Sequence, residues 1–530
     1  MKTGVQSVRK ASKTLDSGFR RNDAIKNRIN FFTPSGREGW GENDLFRLYQ
    51  FNKMKNSKPE VVILGAGPAG LGAAFQLTRN QLARVTVLEE SDRVGGTAGS
   101  FELSGIRVDY GSHRLHPSCD PGILNDLQSL MGDNLLCRQR HGRIRLRGRW
   151  IHFPLKPFDL TLRLPPIFTV GVMRDLTIKL LGNKGNNREE ESFASVLEAG
   201  LGRTICRDFY FPYASKIWGL PPEELSATQA HRRVSAGSLR KMFQKILSAF
   251  PGIGSAGKGR FFYPRGGFGQ ISQSLLEAAK KAGVAFHPDT RIKSIQMIGK
   301  IIKAVYCEQD GKLVSYPADY VWSTIPLPDL MRYLELSSPP SVVQASKKIN
   351  YRAMILIYLV LEQEQFSKYD AHYFPESDIP ITRLSEPKNY SNILEPHDLT
   401  VLCAELPCAT TDAEWQMKDE ELGRLVLRCL ESADLKVISP VKEVITHRLC
   451  QAYPMYRRNY EVYFNEIDQW LSEIENLLTF GRQGLFVHDN THHALSMAYC
   501  AAACLDENGC FDHQRWNAFR RVFDTHVVED

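Results

Sequence analysis

Glu60-Val61-Val62-Ile63-Leu64-Gly65-Ala66-Gly67-Pro68-Ala69-Gly70 runs from an apolar stretch of strand length directly into a glycine turn. A helical segment follows, and Arg84-Val85-Thr86-Val87-Leu88 is a second short strand closed by Glu89. Strand, turn, helix and strand make a βαβ unit. Gly65 permits the tight turn, Gly67 lets the backbone approach a pyrophosphate, and Gly70 lets the helix pack closely on the sheet. Pro68 and Ala69 open that helix, whose N-terminal amides and positive dipole end face the pyrophosphate. Glu89 lies about twenty residues beyond the glycines, where a carboxylate accepts hydrogen bonds from a ribose. An acid there disfavours a 2′-phosphate, which leaves FAD or NAD.

Asp92-Arg93-Val94-Gly95-Gly96-Thr97 comes next, with two adjacent glycines that let the chain run against an extended cofactor. Here the sequence resembles the superfamily of flavin amine oxidases, phytoene desaturases, protoporphyrinogen oxidases and UDP-galactopyranose mutases. In those proteins an R-x-G-G segment follows the acidic strand end and lies along FAD. The resemblance implies FAD as the cofactor, with Arg93, Gly95, Gly96 and Thr97 beside it. A domain built for NAD alone has no reason to carry the segment.

The likeness extends along the chain. Asp109-Tyr110-Gly111-Ser112-His113-Arg114-Leu115-His116 is similar to the mutase segment G-x-H-x-F-H. That implies Gly111, Ser112 and His113 beside the isoalloxazine, with His113 the catalytic candidate. A satisfied core histidine is the alternative. Phe211 to Gly219, with Pro222 to Leu225, resembles Y-x-x-K-x-W-G-x-x-P-x-x-L, which implies substrate contacts from Tyr213 and Trp218. Against this stands an amphipathic helix that buries Trp218 in a core. Counting forward from Leu225 puts Arg232 at the first of the mutase's diphosphate arginines, but Ala236 where a further arginine belongs. Tyr263-Pro264-Arg265-Gly266-Gly267-Phe268-Gly269 looks like the return to the FAD domain, after which the backbone at Ile292 is implied to meet the adenine.

Ile381-Thr382-Arg383-Leu384-Ser385-Glu386-Pro387-Lys388 resembles T-R-x-x-E-x-K. This implies that Arg383 clamps a substrate diphosphate, a role suited to a guanidinium fork. An ion pair with Glu386 or Glu405 is the rival. Glu405-Leu406-Pro407 and Ala452-Tyr453-Pro454 continue the likeness, with Tyr453 implied at the substrate. Gly481-Arg482, then Asp489-Asn490 before an Ala-rich helix, resemble the second FAD motif of the superfamily. Phe486 and His488 stand where the mutase has two tyrosines that hydrogen-bond the diphosphate. That loss argues against a true UDP-galactopyranose mutase.

Composition sets the limits. With 530 residues, 43% hydrophobic and 24% charged, the chain is an ordinary soluble one of two or three lobes. No apolar run approaches the ~20 residues of a spanning helix. Residues 1–58 hold 13 Lys or Arg and 5 Asp or Glu, the whole of the +8 net charge. The balanced remainder carries no basic field for nucleic acid. The leader lacks a secretory core, and translation starting at Met54 is expected, with residues 1–53 disordered or artefactual. Eleven scattered cysteines without a C-x-x-C pair indicate no metal site and buried reduced thiols, hence the cytoplasm. Arg143, Arg145 and Arg147 alternate as three guanidiniums on one strand face, either an anionic-substrate or lipid-headgroup surface or, more in keeping with base expectation, a solvated edge strand.

The expected fold is α/β, a GR-type FAD-binding Rossmann-like domain with an inserted helical lobe and an antiparallel-sheet substrate lobe. Residues 54–116, 262–335 and 476–510 form the FAD domain, 117–261 the helical and cap lobe, and 336–475 the sheet lobe. The expected activity is FAD-dependent oxidation of an organic substrate by hydride transfer to flavin N5, with a phosphate-bearing small molecule as one candidate for that substrate. A redox-neutral sugar mutase and a non-catalytic FAD-binding protein are the alternatives. A homodimer and a peripheral membrane contact stay open.

Overall fold

Val61 to Leu64 is apolar on both faces, so the strand must be covered on both. In a computed structural model of the chain, which describes residues 58–154, 159, 163–181, 191–233 and 259–528, β1 (Glu60–Leu64) lies inside a five-stranded parallel sheet. It pairs with β2 (Arg84–Leu88) on one side and with Tyr320–Ser323 on the other, and Ala285–His287 and Leu477–Thr479 form the edges. Three widely separated stretches of chain therefore build one sheet. The expected leader and Ala236 lie outside the described residues.

α1 (Pro68–Arg79) covers one face of the sheet, buried along Ala69 to Thr78. It packs with the helix Gln270–Lys281 and with the later Ala-rich helix Thr491–Ala502 around Leu71, Leu275 and Leu495, all fully buried. The other face packs on helices Leu327–Tyr333, Pro340–Ser346 and Tyr460–Ser472. Strands Arg291–Ile298, Ile301–Gln309 and Lys312–Pro317 form a separate antiparallel sheet.

The second lobe is a seven-stranded sheet. Its strands are β3 (Gly142–Leu146), β4 (Arg149–Phe153), β5 (Tyr351–Leu361), β6 (Ala371–Tyr373), β7 (Arg383–Ser385), β8 (Thr400–Cys408) and β9 (Val441–Pro454). They run in space as β9-β5-β8-β7-β6-β3-β4, antiparallel except for the β6–β3 pair. β5 is buried from Ala353 to Leu361 because the sheet is covered on both sides.

The expected lobe boundaries shift. Helix Pro121–Met131 presents Ile123, Leu127 and Met131 on one face, and these join the core of the parallel sheet. Leu135–Gln139 pairs with Arg260–Pro264, while β3 and β4 extend the other sheet. Helix His513–Phe523 adds Trp516 and Phe523 to the first core. An apolar helix face has to be covered, and these segments go where a facing surface exists.

The arginine strand also differs from expectation. β3 is interior to the sheet, with β4 outside it. Arg145 pairs with Glu376 and donates to the Ser432 carbonyl at 3.0 Å. Arg143 lies over the Trp150 and Tyr369 rings at 4.3 and 4.5 Å. Arg147, in the turn after β3, pairs with Asp208 at 2.7 Å. All three cations have partners within the protein, so they form neither an anion-binding face nor a solvated edge. All eleven cysteines are free; seven are buried, but Cys137, Cys450 and Cys510 are exposed. Among the described residues no helix is long and apolar enough to cross a membrane.

Candidate active site

The glycine turn has three separate steric requirements. Gly65 has φ +98°, and a Cβ there would stand 2.8 Å from Thr324 Oγ1. A Cβ on Gly70 would fall 2.0 Å from the Gly65 carbonyl oxygen, which is what close helix packing demands. Gly67, the N-cap of α1, is different: its φ is −74° and a Cβ would meet nothing within 4 Å. The fold does not need glycine at that position, and the space in front of it is open. Gly95 and Gly96 adopt positive φ, and the Gly95 amide donates to the Ala66 carbonyl at 2.8 Å. The R-x-G-G segment thus lies against the turn. Arg93 is half exposed with its guanidinium 4.5 Å over the Tyr110 ring.

Glu89 does more than sequence reasoning assigned to it. Its carboxylate accepts from the Ala66 amide at 2.6 Å and the Ser91 amide at 3.0 Å, bracing the turn itself. Burial raises its pKa, against those two bonds. The Thr290 amide donates to the Glu89 carbonyl at 2.8 Å, which brings the start of the Ile292 strand to the same end of the sheet.

Asp109, at the end of strand Ile106–Asp109, is the anchor of the next segment and was not singled out by sequence reasoning. It accepts from Ser100 Oγ (2.6 Å), Tyr263 Oη (2.6 Å) and the Phe268 amide (2.9 Å), tying the 109–116 segment to the glycine-rich return. Asp109→Ala leaves buried donors unsatisfied and should lower stability by about 3–5 kcal/mol, while Asp109→Asn keeps one acceptor and should cost less than half of that. Urea unfolding measures both, and an alanine variant within about 1 kcal/mol of wild type would refute the anchoring role.

His113 stacks on Phe268 and shares a 2.9 Å hydrogen bond between Nε2 and the Tyr110 carbonyl. Burial lowers its pKa, with Asp109 opposing. The ring is therefore neutral, Nε2 carries the proton that it donates, and Nδ1 is left as an acceptor. Arg114 is buried beside it, donating to Tyr373 Oη (3.1 Å) and Tyr390 Oη (2.9 Å), with Asp370 3.5 Å away.

The T-R-x-x-E-x-K motif divides its labour. β7 and β8 pair so that Arg383 faces Glu405. Arg383 Nε donates to Glu405 Oε1 at 2.9 Å, and Nη2 reaches both carboxylate oxygens at 2.7 and 2.9 Å. This is one of the ion pairs expected as the rival reading. Among the described residues Nη1 carries no hydrogen bond. Glu405 also accepts from the Ser112 amide at 2.9 Å, so it links the 109–116 segment to Arg383. Glu386 and Lys388 hold loops instead. Glu386 accepts from the Phe366 and Ser367 amides and from Thr400 Oγ1, and Lys388 Nζ donates to the carbonyls of Glu364, Leu394 and Pro396. Lys216 clamps the chain leading to Arg383 through the carbonyls of Phe374, Glu376 and Ile379, and burial pushes its pKa down to about 8.

These pieces meet in one cleft. Pro68 and Thr97 line it from the glycine turn, Ser112 and His113 from the next segment, and Arg482, Asp489 and Asn490 from the end of the chain. Tyr213, Arg383 and Tyr453 line it from the other lobes. The Gly481 Cα abuts α1: a Cβ there would be 2.7 Å from that of Ala69. Arg482 lies 5.1 Å over the Tyr453 ring and donates to the Ala452 carbonyl at 3.0 Å.

Two expected substrate residues lie elsewhere. Trp218 is 3% exposed and packs on Phe193 in the core of the helical lobe, because its helix needs an apolar face there. Arg232 is buried against Asp489 and Asp524, at 3.9 and 3.7 Å, away from the cleft wall. No metal site was expected, yet Asp489, His493 and His526 bring three ligand atoms within 4.8 Å. The Asn490 amide donates to His493 Nδ1, and His526 Nδ1 lies 3.0 Å from Asp489. Burial and the neighbouring cations hold the His493 ring neutral; it caps the helix, and Asp489 lies between Arg232 and His526.

A dinucleotide-binding βαβ unit with open space before Gly67, helix N-termini from two ends of the chain lining one cleft, and a covering sheet lobe define a dinucleotide-binding flavoprotein fold, and the residues present fit FAD. The chain belongs to the family of flavin-containing amine oxidoreductases, which it matches over residues 68–495. It is 24% identical over 345 residues to 1-hydroxycarotenoid 3,4-desaturase of Flavobacterium sp. (strain P99-3), covering 59% of this chain and 65% of that protein. L-amino-acid oxidase of Pseudechis australis is 26% identical over 336 residues, covering 58% of this chain and 59% of that protein. The chain thus spans less than two thirds of the length of these relatives. Among solved structures, reduced UDP-galactopyranose mutase superposes with a TM-score of 0.72 at 21% identity, over 89% of this chain and all of that one. A putative protoporphyrinogen oxidase from Exiguobacterium sp. 255-15 gives 0.65 at 18% identity, over 84% and 98%. These two likenesses concern the fold.

Proposed function

We propose that the protein oxidises a small anionic organic molecule, of the phosphate-bearing class, by transfer of hydride from a C–H bond to N5 of FAD. The carrying observation is the placement of Arg383 in the same cleft as Pro68, His113 and Asn490, with Nη1 left over from its pair with Glu405. Bound FAD supplies the hydride acceptor and passes the electrons on to O2 or another oxidant. Glu89 and the amides at the start of α1 hold the dinucleotide. Arg383 Nη1 orients the substrate anion, with Tyr213 and Tyr453 as walls. His113 Nδ1 accepts the proton released as the oxidised carbon forms its double bond.

A redox-neutral mutase reading draws on Arg383 and its motif, but Phe486 points into the core and His488 Nε2 is held by the Pro454 carbonyl at 2.7 Å. The visible spectrum separates the two. Under anaerobic conditions the purified holoenzyme should bleach with its own substrate, found by screening phosphorylated and unphosphorylated amines, polyprenoids and nucleotide sugars. Turnover of a nucleotide sugar only after prior reduction, with no reductant consumed, would replace oxidation by isomerisation. A flavin that neither substrate nor dithionite bleaches would make the protein a non-catalytic binder.

A further inference from the structure

Residues 524–528 follow helix His513–Phe523, which Trp516 and Phe523 anchor in the core of the parallel sheet. They lie outside residues 68–495, over which the chain matches its family. A segment that leaves a helix at the edge of a domain holds one course only where it is tied down. This one is tied at every second residue. The Asp524 carboxylate is 3.7 Å from Arg232 Nη2. His526 donates from Nδ1 to Asp489 Oδ2 at 3.0 Å, since a carboxylate can only accept. The same ring stacks on His493, with centroids 4.2 Å apart and planes at 15°. The Val528 amide donates to the Arg232 carbonyl at 2.9 Å.

These ties reach two parts of the fold. Arg232 belongs to helix Ala227–Arg233, which packs on helix Phe193–Leu201 in the helical lobe. Asp489 and His493 lie at the start of helix Thr491–Ala502, which packs on α1 in the FAD domain. The segment therefore bridges the two lobes. Val528 lines the cleft itself, together with Pro68, Thr97, Asn490 and Ala494. A metal ion does not suit the Asp489, His493 and His526 cluster, because the Asn490 amide occupies His493 Nδ1 and the Arg232 cation lies 3.9 Å from Asp489.

We propose that residues 524–528 are part of the FAD site, a clasp that closes the cleft at the start of helix Thr491–Ala502 and retains the cofactor. His526 is the positioning residue that fastens the clasp to Asp489, and Val528 supplies an apolar piece of the wall. A bound ligand is held in proportion to how fully its surface is enclosed by such walls. The inference rests on FAD being bound and not on the hydride transfer proposed above, so an enzyme found to isomerise instead of oxidise leaves it standing.

The test is FAD retention by the full-length holoenzyme, diluted and passed over an ultrafiltration membrane, with flavin absorbance read in both fractions. His526→Ala removes the bond to Asp489, and Val528→Pro removes the amide that donates to Arg232. Each should raise the FAD dissociation constant by at least about 10-fold. His526→Gln keeps a donor toward Asp489 and should recover part of the loss. Gln514→Ala, exposed on helix His513–Phe523, should retain FAD as wild type does. The flavin-free variants should melt with flavin-free wild type, because the ties hold a segment at the surface. Wild-type retention in both variants overturns the proposal. Loss confined to His526→Ala also overturns it, by assigning the effect to Asp489 alone. Loss that tracks a lower melting temperature of the flavin-free protein in both variants overturns it as well, by making the segment a structural brace.

Discussion

Gly67→Val is expected to yield folded, colourless protein. Of the three glycines in the turn, only this one has ordinary backbone angles and open space where a Cβ would go. Valine at an N-cap costs a helix about 1 kcal/mol or less relative to glycine, so the fold survives. Its methyl groups then occupy the space through which a pyrophosphate must approach the α1 amides. Flavin absorbance per mole of protein should fall close to zero while the circular dichroism stays that of the flavin-free wild type. Full flavin occupancy would overturn the assignment of the turn. Changes at Gly65 or Gly70 cannot make this separation, since a Cβ at either collides with the protein itself. Glu89→Ala is a milder change but not a pure ribose deletion, because the carboxylate also holds the Ala66 amide.

The second large effect is expected at Arg383. Arg383→Ala leaves Glu405 buried with the Ser112 amide as its remaining donor, and breaking such a pair typically costs about 3–5 kcal/mol. The single variant should melt lower whatever else Arg383 does. Arg383→Ala combined with Glu405→Gln removes the stranded charge and should recover part of the loss. If Arg383 also binds substrate, the folded, flavin-loaded double variant should bind its anionic substrate about 10- to 150-fold more weakly, the worth of one charge-assisted contact. Isothermal titration with the substrate that bleaches the flavin reads this directly. An affinity equal to that of wild type would reduce Arg383 to a structural residue and remove the best reason to expect a phosphate.

The sequence by itself determined the βαβ unit, the cofactor class and the order of the motifs that return to the FAD domain. Those signals are local: a glycine is demanded by a backbone angle or by the distance to a neighbour five residues away, and both are written in adjacent positions. The tertiary structure decided the pairing of charges. Arg383 meets Glu405 because β7 and β8 become neighbours in that register. Arg143, Arg145 and Arg147 are partnered by Trp150, Tyr369, Glu376 and Asp208, which come from a neighbouring strand, from loops and from a helical segment. Trp218 and Tyr213 sit on the same short helix, yet one faces the lobe core and the other the cleft. A motif sets which side chains are present; which face of an element is buried, and which opposite charge lies across from a guanidinium, depends on surfaces brought together from distant parts of the chain.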